Sequence, residues 1–268
     1  MHIQGHRGCR GLIPENTIEG FIKTIELGCD GLELDVVVAK DKSLIVSHDP
    51  WMKASLCINI NGGVIPEKEE KTHNIYEMTP DEIALYDCGS LTQDNFPNQL
   101  NTQHYKPTLQ EVFNKTLSLT PPEFTYNIEI KSEREWYGEF QPDLSEYAEI
   151  ILKAIEPLKK RKQSYILQSF DTALLNKLHQ LDPTESYGLL VENKKPVQSL
   201  EHLHFTPTYL NPEHILLTSD IVRQTHQAGL KIISWTVNDF SDFQRCKDLD
   251  IYGIITDYPN HFITSNKV

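Results

Sequence analysis

The sequence predicts a single α/β domain over residues 1–268 that folds as a somewhat irregular (β/α)8 TIM barrel. Apolar, strand-like segments alternate with amphipathic, helix-like segments along nearly the whole chain of 268 residues. Eight strands with intervening helices over about 250 residues are typical of this fold. The strands are expected at residues 3–6, 31–38, 44–48, 126–131, 165–169, 187–191, 231–237 and 253–256.

The helices of the predicted barrel carry end signals. They are expected at residues 15–27, 109–117, 144–158, 172–181, 219–228 and 240–249. Asp171 and Asp239 stand at N-cap positions, and two helices end at a glycine, Gly28 and Gly229, as C-terminal caps favour. The first helix is expected to begin at Glu15, directly after a proline.

The bulk composition narrows the classes of partner. The chain is 39% apolar and 24% charged, which is ordinary for a globular protein. Its formal net charge of -13 argues against nucleic acid or an anionic membrane as the main partner. The sequence shows no signal-peptide pattern and no apolar run of membrane-spanning length. We therefore expect a cytoplasmic protein without stable membrane association, and we make no prediction of its oligomeric state.

The connection between the second and third strands is too short for a parallel crossover. It comprises only residues 39–43, whereas such a crossover needs about a dozen residues. We expect a hairpin or an irregular bend, with the turn centred on Asp41 and Lys42. In simple hairpin register, His48 would then lie directly opposite Asp35.

Residues 50–106 form a long insertion after the third strand. This segment has little apolar periodicity apart from a short capped helix expected at residues 80–86. A connection of this length in a compact domain is usually functional. We expect it to form a lid or a small subdomain beside the functional site, which should lie at the carboxyl-terminal end of the third strand.

Two carboxylates on one face of the second strand are the first candidate metal ligands. Glu33 and Asp35 are two residues apart, so their side chains share a face of an otherwise apolar strand. Burying both is costly unless something positive neutralises them. A hard divalent cation would do so, since Ca²⁺ and Mg²⁺ prefer oxygen ligands. The alternative is a strand-end pair that faces solvent or bonds to Lys and Arg.

The fourth predicted strand repeats this arrangement. Asn127, Glu129 and Lys131 share one face, which makes Glu129 a third candidate ligand and Lys131 a candidate phosphate partner. A buried Glu–Lys pair is the alternative. Because the barrel strands bring such residues to one mouth, three converging carboxylates would require a cation.

Two histidines at strand ends are the candidate acid and base. His6 ends the first predicted strand, directly before Arg7, and His48 ends the third. A lone histidine is more often structural, but two of them beside a cation and paired carboxylates favour proton transfer. Gln168 at the end of the fifth strand and Trp235 on the seventh are weaker candidates. Trp235 could line an apolar wall or simply belong to the core.

Five cysteines are scattered along the chain at positions 9, 29, 57, 88 and 246. Their number is odd and none has the CxxC spacing of a metal or redox motif. We therefore expect free thiols.

Six separated motifs resemble the glycerophosphodiester phosphodiesterase family, in unbroken order from residue 2 to about residue 262. They are His6-Arg7-Gly8 with Pro14-Glu15-Asn16-Thr17, Glu33-x-Asp35, His48-Asp49, Glu129-x-Lys131, Trp235-Thr236-Val237-Asn238, and Gly253-Ile254-Ile255-Thr256-Asp257-Tyr258-Pro259. The resemblance implies the TIM barrel shared with phosphatidylinositol phospholipase C enzymes. One departure is the turn at Asp41-Lys42-Ser43, where family members often carry a glycine.

The resemblance also implies an activity, which is hydrolysis of a glycerophosphodiester to sn-glycerol 3-phosphate and an alcohol. It implies that one divalent cation, Ca²⁺ or Mg²⁺, is bound by the three carboxylates and that the two histidines are the acid/base pair. By this resemblance Arg7 and Lys131 would contact the phosphate. Gln168 and Trp235 stay candidate substrate contacts on the basis of their strand positions alone.

Two other readings stay open. The first is another diesterase on the same barrel, a lysophospholipase D or a phosphoinositide-type phosphodiesterase, which an exposed apolar rim in the insertion would favour. The second is a barrel that binds a phosphodiester without catalysis.

Overall fold

The computed structural model describes residues 1–192 and 195–266, and within these residues the chain forms nine strands. In chain order they are β1 (His2–Gly5), β2 (Gly31–Val38), β3 (Leu44–Val46), β4 (Thr125–Ile130), β5 (Tyr165–Ser169), β6 (Tyr187–Val191), β7 (Tyr209–Pro212), β8 (Lys231–Ser234) and β9 (Gly253–Thr256).

Nine α-helices accompany the strands in the same described ranges. They are α1 (Ile18–Leu27), α2 (Pro80–Ile83), α3 (Leu109–Thr116), α4 (Leu144–Ala154), α5 (Glu156–Arg161), α6 (Thr172–Leu181), α7 (Ser219–Gln227), α8 (Phe240–Asp248) and α9 (Pro259–Asn266). None of these helices combines the length and apolar composition needed to cross a membrane.

The sheet closes into a barrel of eight parallel strands, which confirms the predicted TIM barrel. The strand order is β1-β9-β8-β7-β6-β5-β4-β2, and a direct β1–β2 pairing closes the ring. Among the named strands of the described residues, β3 pairs with the carboxyl-terminal part of β2, residues 36–38, and runs antiparallel to it. The expectation that the third predicted strand belongs to the eight is therefore wrong. β7 takes the eighth place and was not predicted, because its residues Asn211 and Pro212 are depleted in strands.

The β2–β3 hairpin is confirmed, but its register differs from the predicted one. Val36 pairs with Val46, and the Ser47 N–H donates to the Asp35 carbonyl at 3.1 Å. Ser47, not His48, therefore lies opposite Asp35. The turn contains three residues rather than two, because Lys42 adopts a left-handed conformation with φ of 70°.

Several helix boundaries also differ from the prediction. α1 begins at Ile18, because the Thr17 side chain caps it by accepting from the Gly20 N–H. The helix predicted over 144–158 ends at Ala154, and Pro157 lies in the first turn of a second helix. Asp239 makes no side-chain cap bond to α8. The helix α9 was not predicted.

The 50–106 insertion packs on the hairpin side of the barrel. Its apolar residues Met52, Ile75 and Ile83 cluster with Val37 and Ile45 of the hairpin. The apolar faces of the strands and helices elsewhere form a larger core.

A disulfide joins Cys57 to Cys88 within the insertion. The expectation of free thiols is therefore wrong for this pair, whereas Cys9, Cys29 and Cys246 are free and buried. The two sulfurs meet because residues 58 and 87 form an antiparallel bridge, which sets their neighbours 57 and 88 opposite each other. The two cysteines are 31 residues apart in the sequence, and this spacing gives no indication that they meet.

Candidate active site

Three carboxylates converge where β2 and β4 run side by side. Glu33 pairs in register with Asn127, and Asp35 pairs with Glu129. Alternation along a strand turns Glu33, Asp35 and Glu129 to the same face. One oxygen of each lies within 4.8 Å of the others, and all three residues are buried.

The environment of these carboxylates fits a divalent cation. Oδ2 of Asp35 accepts from the Asn16 amide at 2.9 Å, whereas its buried Oδ1 has no hydrogen-bond partner in the described structure. Burial, together with the charges of Asp35 and Glu129, raises the pKa of Glu33 well above its usual range. A bound cation would stabilise the charged form of this carboxyl. Because all the candidate metal-ligand atoms are carboxylate oxygens, Ca²⁺ or Mg²⁺ suits the site.

His6 follows β1 and is held by the carboxylate of Asp257, which follows the neighbouring strand β9. Its Nδ1 lies 2.7 Å from Oδ1 of Asp257, and its Nε2 lies 4.0 Å from Oε2 of Glu33. Asp257 also accepts from Arg10 Nε at 2.9 Å and from the Asn238 amide at 2.7 Å. Burial and the charge of Arg10 lower the pKa of His6 to about 4, against the opposing effect of Asp257. The imidazole is therefore neutral at pH 7.

Arg7 is tied into the same centre by carboxylates. Its Nη1 donates to Glu15 at 2.8 Å, and its Nε lies 3.2 Å from Oδ2 of Asp35. Its backbone N–H donates to Glu33 at 2.9 Å. Although burial opposes the charged form, Glu15 and Asp35 raise the pKa of Arg7. The guanidinium is a fixed positive charge on the cavity wall.

His48 is held by its sequence neighbour and by a lysine from β4's end. Its Nδ1 lies 3.2 Å from Oδ2 of Asp49, and its Nε2 lies 3.1 Å from Nζ of Lys131. Lys131 also donates to Glu129 at 2.6 Å. The structure thus links His48 to the carboxylate cluster through one lysine.

Gln168 and Trp235 occupy the wall between β5 and β8. Oε1 of Gln168 accepts from the Asn211 amide at 2.7 Å, and the Trp235 indole N–H donates to the Asn211 carbonyl at 2.7 Å. The Trp235 ring also meets Phe170 edge to face, with centroids 5.7 Å apart.

One cavity of about 790 Å³ connects these groups. The predicted site residues that line it are His6, Arg7, Glu33, His48, Glu129, Lys131, Gln168 and Trp235. Asp35 lies behind this wall, beside Glu33 and Glu129. The structure therefore brings all nine predicted residues to the carboxyl-terminal mouth of the barrel, where TIM-barrel active sites lie.

Sequence reasoning assigned no role to three of the residues that hold the site in place, namely Asp257, Arg10 and Asn238. Asp257, Arg10 and Asn238 fix His6, while Glu15 and Asn16 fix Arg7 and Asp35. The contact between His6 and Asp257 follows from strand pairing rather than from a signal in the sequence. Because Gly5 pairs with Thr256, the residues that follow, His6 and Asp257, emerge side by side at the barrel mouth.

Fold and site together define the class of TIM-barrel enzymes with an acidic, cation-compatible centre at the carboxyl mouth. The model of the glycerophosphoryl diester phosphodiesterase family matches residues 6–261. The chain therefore belongs to the glycerophosphoryl diester phosphodiesterase family, and it is a phosphoric diester hydrolase.

Individual relatives agree with this assignment. A glycerophosphodiester phosphodiesterase of Caldanaerobacter subterraneus is 30% identical, over 96% of this chain and 94% of that one. One from Bacillus subtilis is 28% identical, over 96% and 83%. The crystal structure of a glycerophosphodiester phosphodiesterase from Thermotoga maritima is 27% identical with a TM-score of 0.69, over 98% of this chain and 97% of that one.

Proposed function

We propose that this enzyme hydrolyses glycerophosphodiesters to sn-glycerol 3-phosphate and an alcohol in a metal-dependent reaction, with His6 and His48 as the acid/base pair. One observation carries the proposal. Two histidines, each with its Nδ1 against a carboxylate, line the same cavity as the buried acidic cluster.

Glu33, Asp35 and Glu129 are the proposed ligands of one Ca²⁺ or Mg²⁺ ion. When bound, such an ion polarises the phosphoryl oxygens and lowers the pKa of a coordinated hydroxyl or water. The orphaned Oδ1 of Asp35 and the raised pKa of Glu33 both support this assignment.

The histidines would move protons at their Nε2 atoms, because Asp257 and Asp49 occupy the Nδ1 positions. One histidine takes the proton of the attacking oxygen, either the neighbouring glycerol hydroxyl or water. The other gives a proton to the oxygen of the leaving alcohol. Attack by the hydroxyl would leave a cyclic phosphate, which water then opens with the two roles reversed, whereas attack by water gives sn-glycerol 3-phosphate directly. Arg7 and Lys131 are the proposed phosphate contacts, since both are cations on the cavity wall.

Gln168 and Trp235 are the proposed contacts for the remainder of the substrate. Hydrogen bonds to Asn211 hold both side chains, so they would offer a preformed surface. Phe170 extends the aromatic wall beside Trp235. We also propose that the 50–106 insertion acts as a lid on the His48 side, since it leaves the barrel directly after that residue.

The test is release of sn-glycerol 3-phosphate from glycerophosphocholine and glycerophosphoethanolamine, with Ca²⁺, Mg²⁺ or EDTA present. We expect metal-dependent release that falls at least about a thousandfold in both His6→Ala and His48→Ala. Lys159→Met, which removes a paired lysine outside the site, is the control and should retain activity. A folded protein that binds these diesters but releases no product would support a binding role instead.

A lysophospholipase D activity is the second candidate, and exposed apolar residues of the insertion favour it. Ile60, Val64, Leu85 and Leu100 are each more than half exposed. Such residues could contact the acyl chain of a lysophospholipid. Faster turnover of lysophosphatidylcholine than of glycerophosphocholine would support this reading, and the reverse would exclude it as the main activity.

A further inference from the structure

Lys106 is a buried cation that the proposed chemistry does not use. It is 8% exposed and is the last residue of the insertion. The chain from residue 106 to 108 runs antiparallel to β3, since Ile45 and Thr108 form a bridge and the Val46 N–H donates to the Pro107 carbonyl at 2.8 Å. This pairing sets Lys106 opposite Ser47, the residue before His48.

A chain of two hydrogen bonds runs from Lys106 to the turn that carries His48. The Lys106 ammonium donates to Oγ of Ser47 at 2.9 Å. That hydroxyl in turn donates to the backbone carbonyl of Asp49 at 2.6 Å. The chain therefore ties down the residues on both sides of His48.

The charge of Lys106 is costly to bury, and this cost argues against a purely packing role. Burial lowers the pKa of Lys106, whereas the carboxylates of Glu15 and Asp49 oppose that shift. No carboxylate of the described residues lies within ion-pair distance of its Nζ, so the attraction acts at longer range. An apolar side chain of the same length would anchor the end of the insertion without this penalty.

The turn positions His48 and its Nδ1 partner together, whereas His6 and its partner lie at the ends of two different strands. The Nδ1 partner of His48 is the adjacent residue Asp49, so the backbone of the turn sets the position of both groups. His6 instead meets Asp257 from another strand end. A loosened turn would displace the imidazole of His48 and its carboxylate together.

We propose that Lys106 is a positioning residue for His48, and that its ammonium holds the imidazole in place through Ser47 and the backbone of Asp49. The kinetic part of this proposal rests on the proposed function, whereas the structural part does not. Because residues 50–106 leave the barrel at this turn and return at Lys106, the same contact links the insertion to the catalytic centre.

The test compares Lys106→Met with Lys159→Met. Both substitutions remove a lysine charge with little change in side-chain length, but Lys159 pairs with Asp182 and Glu185, away from the cavity. We expect Lys106→Met to lower kcat about ten- to a hundredfold, with KM and the Ca²⁺ concentration for half-maximal activity changed less than twofold. Lys159→Met should leave all three values unchanged.

Imidazole ¹⁵N NMR supplies a readout that requires no activity. The ring signals of His6 and His48 are assigned with the two alanine variants. In Lys106→Met we expect the His48 signals to shift or broaden, while the His6 signals stay in place. A general loss of folding would move both sets, and Lys159→Met should move neither.

Ser47→Ala tests whether Lys106 acts on His48 through the Ser47 hydroxyl. It also replaces Lys106→Met if that variant does not fold. It keeps the charge and removes the bridge, so it should lower kcat and shift the His48 signals as Lys106→Met does. The double variant should lose little more than the worse single variant. Additive losses, or unmoved His48 signals in folded variants, would overturn the proposal. If the unaltered protein hydrolyses no diester, the NMR comparison alone decides it, while the proposed function fails separately.

Discussion

The two histidines of the site are built by different parts of the molecule. His6 lies at the end of a barrel strand, and its partner Asp257 follows the strand that pairs with it in register. His48 lies on a turn between a short antiparallel strand and the 50–106 insertion, and its partner is its own neighbour. The His6 side chain is 13% exposed and that of His48 is 29% exposed.

The two histidines lie on two walls of the site that are positioned in different ways. Strand pairing positions the His6 wall, whereas distant loop contacts position the His48 wall. Strand pairing determines where His6, Glu33, Asp35 and Glu129 lie. On the other side, the position of His48 depends on how the insertion returns to the barrel. We therefore expect substitutions of the residues that hold His6 to act strongly and locally. Substitutions of the residues that hold His48 should act more weakly and should couple to the insertion.

The largest effect is expected from Asp257→Asn. Asp257 fixes which nitrogen of His6 carries the proton, and an amide can favour the wrong tautomer while filling the same space. We expect kcat/KM to fall about a thousandfold, or about 4 kcal/mol of transition-state stabilisation. Steady-state kinetics with saturating metal measures this. A loss below about tenfold would show that the barrel side does not depend on its carboxylate.

The next effect concerns pH and arises from the buried imidazole of His6. Because burial holds the folded-state pKa of His6 at about 4, against 6.5 in the unfolded chain, the unfolded state binds more protons between these values. Stability should therefore fall as pH drops from 6.5 towards 4, by about 3 kcal/mol from this residue. Urea unfolding in EDTA, compared with His6→Gln, isolates the contribution. Equal pH slopes for both proteins would contradict it.

Removal of the disulfide should affect the insertion and spare the barrel. We expect Cys57→Ser with Cys88→Ser to lower the free energy of unfolding by about 2 kcal/mol and to make the insertion the first site of proteolysis. The denatured protein should show three reactive thiols before reduction and five after it. Five thiols without reductant would contradict the disulfide and would fit the cytoplasmic location expected from the sequence.

The parts of the molecule that could be predicted are those that follow from strand periodicity. Glu33 and Asp35 share a face because strands alternate, and parallel pairing brings Glu129 beside them. The register of the hairpin could not be predicted, because it depends on a positive φ at Lys42, a residue that seldom adopts one. Contacts between residues far apart in the sequence could not be predicted either, because no local pattern marks them.

Two long-range contacts have no signal in the sequence pattern. The bridge between residues 58 and 87 sets Cys57 opposite Cys88, and no local signal marks it. The return of Lys106 to Ser47 likewise depends on the path of the whole insertion. Asp257 belongs to the motif of residues 253–259, yet its contact with His6 follows only from the pairing of β9 with β1.

The smallest effect is expected from Asp49→Asn, and it tests the comparison most directly. His48 keeps its contact with Lys131 at Nε2, and the chain from Lys106 reaches the backbone of Asp49 rather than its carboxylate. The turn should therefore survive the substitution, with kcat lowered only about tenfold, or about 1.4 kcal/mol. Kinetics beside Asp257→Asn at the same metal concentration measures the difference. If the two variants lose activity equally, the carboxylates hold both histidines alike, and the distinction between a sheet-built and a loop-built wall does not extend to catalysis.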